Sequence, residues 1–203
     1  MGLKLNLGSG RNPQSGYLNV DKYGEADFKC DLESFPWPWA DNSVSEIQLI
    51  HVLEHLGSAP ETFIAIMKEM YRVCEPDAVI HIAVPHPRHD NFISDPTHVR
   101  PVVPMTLQLF SKKSNLLWQE LKWANSPLAL YHDVDFEMID ATMVLEEPYS
   151  SQLQAGKLSP GDVDELVKRY NNVAVEIRFT LKAVKEPVPV SAWKRFFAPK
   201  SGS

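Results

Sequence analysis

LKLNLGSGRNPQSGYLNVD, residues 3–21, sets an apolar run against two glycines and closes a second apolar run with an acid. Leu3 to Leu7 reads as a short strand and Tyr17 to Asp21 as a second. A glycine turn after one strand and a carboxylate at the end of the next suggest a nucleotide-type site at the carboxyl edge of an α/β sheet. The spacing is unusual. A dinucleotide fingerprint needs a third glycine and a helix N-terminus for the pyrophosphate, yet Gly8-Ser-Gly10 runs into Arg11-Asn-Pro13. Its acid should lie about 20 residues on, whereas Asp21 is thirteen after Gly8. Ten residues separate Leu7 from Leu18, and a crossover with its helix takes at least about 10–12. The first helix is therefore reduced or absent, which removes the pyrophosphate anchor and disfavours a dinucleotide oxidoreductase.

What survives suits a nucleoside without phosphates. The glycines admit close approach to the backbone, and Asp21 can accept from both hydroxyls of a ribose. S-adenosylmethionine meets that description, with its amino-acid end against the turn. An ordinary glycine turn beside a surface Asp explains this stretch equally well.

The remaining chain alternates strands with helices. A short third strand runs from Asp27 to Leu32, where Asp31 can accept from an adenine amino group. Phe35-Pro-Trp-Pro-Trp39 cannot be regular structure, because its prolines lack donors; its tryptophans either pack under the loop or stack on an acceptor. Ser45 to Ile50 is a buried strand, and Val52 to Leu56 begins a helical stretch. Ser58-Ala-Pro-Glu61 carries capping-box spacing with Pro near N1. The helix it opens runs to about Cys74, with Phe63, Met67, Met70 and Cys74 on one stripe. Ala78 to Val84 is apolar except for His81, as in a central strand covered on both faces, and His81 reads as a core histidine. A His-rich loop spans Pro85 to Arg100, and helices are predicted over Pro104–Phe110 and Ser114–Trp123. Val134–Glu146 and Val173–Val184 are long strands able to pair antiparallel at an edge, with a helix from Ser159-Pro160 between them. The pattern argues an α/β fold with a mostly parallel sheet.

In order, GSG, Asp21, Cys30-Asp31-Leu32, FPWPW, HVLEHL (residues 51–56), Met70-Tyr-Arg-Val-Cys-Glu-Pro76 and Asp95-Pro-Thr-His98 resemble the class I S-adenosylmethionine-dependent methyltransferases. The match is with their compact bacterial group, type 11-like, and covers residues 3 to about 111 well. The resemblance implies a Rossmann-like seven-stranded mostly parallel sheet whose last strand is antiparallel. It implies a methyltransferase domain over residues 1–185, followed by a Pro-rich and aromatic/basic tail over 186–203. Leu7, Gly8, Ser9 and Gly10 would line the methionine part of the cofactor. Asp21 would hold the ribose, Asp31 and Leu32 would face the adenine, and His51 would floor the site. Asp77-Ala78 replaces the usual Gly-Gly and alters a turn, which Asp tolerates in the left-handed region.

Transfer to oxygen needs alignment and removal of the acceptor's proton, by a base or at a metal. Candidate polar groups are His51, Glu54, His55 and His98, with His86, His89, Asp90 and Asp95 nearby. If a helix starts after His51, Glu54 and His55 share a face with it. That set is similar to two methyltransferase groups in which E-x-x-E-H plus a later His holds a divalent metal; here His51 replaces the first Glu. Alternative readings make the same residues a general base, or only caps and hydrogen-bond partners, and Asp95-Pro-Thr-His98 an Asx-type turn.

The net charge of −6 and the absence of any Lys/Arg run longer than two exclude a phosphate track, so no nucleic-acid partner is expected. The expected acceptor is a small molecule or a glycan. The two cysteines, far apart and without CxxC spacing, fit a reducing cytoplasm. A sheet lacking its first helix leaves an apolar face uncovered, for which the tail or a partner subunit in a homodimer is the expected cover. Trp193, Phe196 and Phe197 beside Lys194, Arg195 and Lys200 resemble an interfacial anchor, but membrane contact is the lesser expectation. The rival reading is a domain that binds the cofactor or a partner without catalysis.

Overall fold

The structure, a computed structural model, describes residues 2–185; the tail expected to cover the sheet or meet a membrane lies outside the described residues. Strands β1 (Leu3–Leu7), β2 (Leu18–Asp21), β3 (Phe28–Lys29) and β4 (Val44–Ile50) come first. Helix α1 (Pro60–Val73), strand β5 (Cys74–Pro85) and short helices α2 (Asp90–Ile93), α3 (Pro104–Gln108), α4 (Lys112–Glu120) and α5 (Leu128–His132) follow. Strand β6 (Phe136–Leu145), helices α6 (Tyr149–Gln154) and α7 (Pro160–Arg169), and strand β7 (Ala174–Ala183) complete the order. The sheet runs β3-β2-β1-β4-β5-β7-β6. All pairings are parallel except those of β7, which is antiparallel to both β5 and β6. This is the seven-stranded sheet the sequence predicts. Among the described residues no helix is long and apolar enough to cross a membrane.

No helix forms between β1 and β2, and two buried asparagines hold that crossover instead. Asn6 donates to the Asn12 carbonyl (3.1 Å) and to Asn19 Oδ1 (2.9 Å), which also accepts from the Gln14 N–H (2.7 Å). Asn19 passes the tie onward, donating to Asp27 from its backbone (2.9 Å) and its side chain (2.8 Å).

One face of the sheet is a continuous core. Leu5, Leu7, Ile47, Leu49, Ile80, Ile82 and Phe179 are buried in one cluster with Phe63, Ile66, Met67 and Met70 of α1. The opposite face departs from expectation in two ways. The central strand β5 is not covered on both sides, and His81 is not a core histidine: its side chain is 41 % exposed beside Glu46. Nor is the open face chiefly apolar. Gln48, His81 and Thr180 stand in one cross-strand row, with Glu46 and Arg178 in the rows beside it, and a groove of about 510 Å³ runs over the face from Ile50 to Thr142. The cause is local: the connections between β1 and β4 supply no helix to that side.

Smaller differences have local reasons. The third strand shrinks to two residues, Phe28–Lys29. Helix α1 is capped by Ala59, without a side-chain bond, and not by Ser58; Pro60 at N1 forces the residue before it to be extended. The stretch after Val52 makes only a 3₁₀ turn, Leu53–His55. Asp77 does adopt the left-handed conformation (φ 63°).

The Asn19–Asp27 tie gives a measurable pH dependence. The Asn19 backbone N–H, and then its side-chain amide, favour the charged form and lower the Asp27 pKa. A lowered carboxylate pKa stabilises the fold above the unfolded value near about 4, and that contribution is lost as pH falls through the folded value. Urea unfolding of Asp27→Asn should therefore show a shallower loss of stability below about pH 4 than the parent. Asn19→Ala should cost about 1–3 kcal/mol at neutral pH, because Asn6 loses its buried acceptor.

Candidate functional site

The carboxyl ends of β1, β2 and β4 and the segment after β3 converge on a cavity of about 270 Å³. It lies where the chain turns from strands on one side of β1 to strands on the other, the switch point at which open α/β sheets bind ligands. Gly8, Asp21, Asp31, Leu32, His51 and His55 line it, so six of the residues singled out from the sequence meet there. Leu7 does not line this cavity and lies in the core; Ser9 is also buried, and its hydroxyl has no partner among the described residues. Gly10 opens on an adjoining hollow of about 640 Å³ with Arg11, Tyr23 and Glu25, and Asp21 borders both spaces. Lys22, Tyr23, Cys30, Val52 and Leu56 complete the first cavity. Tyr23, an exposed aromatic two residues past Asp21, is a feature that sequence reading overlooked.

Gly8 serves the site differently from the expected close ligand approach. Its φ is +68°, and a Cβ there would lie 2.5 Å from a Val52 methyl. The space is filled by the protein, which presses the β1 turn against the segment following β4. At Gly10 (φ +51°) a Cβ would meet only the Gly8 carbonyl at 4.0 Å, so that backbone is the accessible one.

Asp21 is already oriented. The Gly10 N–H donates to Oδ2 (2.8 Å) and the Tyr23 N–H to Oδ1 (2.7 Å). Each oxygen keeps a second acceptor site, so a pair of vicinal hydroxyls finds a fixed fork. Asp31 pairs with Lys22 at 2.7 Å and accepts from the Glu33 N–H at 3.0 Å. The Lys22 contact, first among these, lowers its pKa. Trp37 of the FPWPW loop is buried, donating from its indole to the Leu32 carbonyl (3.1 Å) and from its backbone to Glu69 (2.6 Å). Packing is thus its role.

The histidines separate into two groups. His51 follows β4 with φ +55°, a conformation in which His is enriched among non-glycine residues. Its Nε2 contacts Glu176 of β7 at 2.6 Å, and its Nδ1 lies 3.6 Å from Glu54. Glu54, opposed by burial and joined by Glu176, raises the His51 pKa; the Glu176 contact is the closer one. Glu176 escaped the sequence reading, since only the folded sheet brings β7 to the end of β4. The expected helical face of His51, Glu54 and His55 does not form. The 3₁₀ turn sends Glu54 inward to 1 % exposure and leaves His55 at the cavity. His98 comes from the loop after β5, its ring centroid 4.6 Å from that of His55, and Asp95-Pro-Thr-His98 does form an Asx turn (Thr97 N–H to Asp95 Oδ1, 2.8 Å). His86 and His89 are buried and do not line the cavity, with His89 on Glu146 at 2.9 Å.

No protein-family model matches the chain, and no curated protein matches it. Solved structures share its fold. A methyltransferase dependent on S-adenosylmethionine from Archaeoglobus fulgidus aligns over 89 % of this chain and 86 % of its own, with 18 % identity and a TM-score of 0.53. One from Methanosarcina mazei aligns over 90 % and 92 %, with 13 % identity and a TM-score of 0.51. The cyclase SpnF aligns over 90 % and 76 %, with 16 % identity and a TM-score of 0.50. The fold is that of the class I methyltransferases.

The Gly8–Val52 contact is testable. Gly8→Ala places a methyl against Val52 in a left-handed backbone and should cost about 1–3 kcal/mol in urea unfolding. Adding Val52→Ala should recover part of that loss relative to the sum of the single changes. Strict additivity would mean that the two residues do not compete for the same space.

Proposed function

We propose that the chain transfers a methyl group from S-adenosylmethionine to an oxygen of a small-molecule or glycan acceptor. The observation that carries this reading is the oriented Asp21 fork beside Gly10, at the switch point of a sheet whose first crossover has no helix for a pyrophosphate. In this reading Asp21 binds the ribose, Asp31 and Leu32 border the adenine, and the Gly8–Gly10 turn meets the methionine end. Tyr23 is free to cover the nucleoside.

The acceptor oxygen attacks the sulfonium methyl in line. A C–O bond forms, the C–S bond breaks, and its electron pair stays on sulfur as S-adenosylhomocysteine leaves. The protein's main work is alignment. The acceptor's proton goes to His51, an imidazole on the cavity wall whose ring Glu176 fixes through Nε2. The domain boundary at residue 185, the cytoplasmic setting and a homodimer remain parts of this proposal.

A second reading has one observation in its favour: SpnF, named as a cyclase, shares the fold, and a fold does not fix a reaction. On that reading the chain binds the cofactor without methyl transfer.

Isothermal titration with S-adenosylhomocysteine separates these. Micromolar binding is expected, weakened about 10- to 100-fold in a folded Asp21→Ala variant, the loss of hydrogen bonds to a charged group. Absence of binding by folded protein at high micromolar ligand would overturn both readings. Binding with no label transferred from methyl-labelled cofactor to a panel of hydroxyl acceptors would favour the second.

A further inference from the structure

Glu54 is buried, and neither carboxylate oxygen has a hydrogen-bond partner among the described residues. A buried carboxylate without a partner is unfavourable unless it takes a proton or meets a cation. Two cationic side chains lie nearby, and neither hydrogen-bonds to the Glu54 carboxylate. His51 is held by Glu176 through Nε2, and its Nδ1 is beyond hydrogen-bond distance of Glu54. Arg100 donates from Nη2 to the Gly57 carbonyl (2.6 Å) and lies over the Phe63 ring, and its buried Nε has no partner among the described residues, Glu54 included. What faces Glu54 instead is a pair of imidazoles: a ligand atom from each of Glu54, His55 and His98 lies within 4.8 Å of those of the other two.

The tautomers of both histidines follow from their partners. His98 Nδ1 is 2.9 Å from the Phe92 carbonyl, which only accepts, so Nδ1 carries the hydrogen. His55 Nδ1 is 2.9 Å from the Thr97 hydroxyl. That hydroxyl donates its single proton to Asp95 Oδ1 at 2.6 Å, so it accepts from His55, whose Nδ1 carries the hydrogen too. In the neutral form of each ring the unprotonated nitrogen is therefore Nε2. Asp95 Oδ2, 3.9 Å from His98 Nε2, is too far to hold a proton there. Histidines that bind metals are oriented in this way, with the second nitrogen donating to a carbonyl or a carboxylate-backed group.

We propose that Glu54, His55 and His98 bind a divalent transition-metal ion, with zinc the best fit, and that Thr97, Asp95 and the Phe92 carbonyl are its positioning groups. Two imidazoles and one carboxylate favour such an ion over magnesium or calcium, which prefer all-oxygen sites. Three protein ligands leave open positions, and His55 lines the cavity assigned above to the cofactor. When bound there, a metal would supply Lewis acidity to a hydroxyl acceptor. Only that role rests on the proposed function; metal binding itself does not.

The test uses the full chain, purified without chelator and then stripped. Isothermal titration with zinc should show one ion per chain, and cobalt(II) should give visible absorption bands of an imidazole-carboxylate site. His98→Ala and Glu54→Gln should abolish both signals. Thr97 is exposed, so Thr97→Val should fold normally; it should weaken zinc about 10- to 100-fold and shift the cobalt bands. Folded protein that takes up no zinc or cobalt would overturn the proposal. So would metal binding unchanged by all three substitutions, or a preference for magnesium. S-adenosylhomocysteine titrated into the stripped protein reports separately on the cofactor reading, so the two can fail independently.

Discussion

Position 8 has no side chain, and Val52 occupies the space one would need. That contact joins the turn after β1 to the segment after β4, the two walls of the cavity. Strand order alone would leave the walls free to part. The left-handed glycine lets the chain double back so that the Gly10 N–H reaches Asp21. The Asp21 fork, the floor at His51 and the position of His55 all follow from how these two segments meet.

The short crossover has a second consequence. A Rossmann-like sheet normally gains helices on both faces from its connections. Here Asn6 and Asn19 replace the first helix with a few buried hydrogen bonds, and one face of the sheet is left open. Its residues are accordingly polar: Lys4 pairs with Glu46 at 2.6 Å, and Glu46 also accepts from Tyr17. An open sheet face with an acid-base network across it is a stable surface in water, with less need of a tail or partner than an apolar face would have. The cavity lined by Asp21 and His51 does not depend on it, because it sits on the edge formed by strand ends and not on the face.

Much of the fold was readable because it is encoded locally. The strand ends at Gly8, Asp21 and Asp31 and the alternation of Val173–Val184 mark the strands, the resemblance implies seven of them with the last antiparallel, and their order appears only in the folded sheet. The coverage of β5 was not readable, because Val79 and Ala83 are apolar on the open side and mimic a doubly covered strand. Ser58 has capping-box spacing, but Pro60 at N1 holds Ala59 extended and makes it the N-cap of α1. At the site, Gly8, Asp21, Asp31, Leu32, His51 and His55 came from pattern and resemblance together. Glu176 did not, since its contact with His51 joins β4 to β7 and leaves no local signal. Leu7 and Ser9 belong to the same turn but point into the protein, a distinction that spacing alone does not make.

The direction of Glu54 shows how a short turn can decide chemistry. In a continuing α-helix, residues 51, 54 and 55 would share one face and compete for the same cleft. The chain instead makes a left-handed residue at His51 and a single 3₁₀ turn. His51 is thereby given to Glu176, while Glu54 is turned inward toward His55 and His98. The Val99 and Arg100 N–H groups donate to the Glu54 carbonyl at 2.9 and 3.2 Å, fastening the loop that carries His98 to the turn that carries Glu54 and His55. The backbone that brings the imidazoles together is thus satisfied, and the carboxylate between them is the part that is not. Among the described residues Glu54 is the one buried acid whose carboxylate oxygens lack a hydrogen-bond partner, so the cost of its burial falls where a cation would remove it.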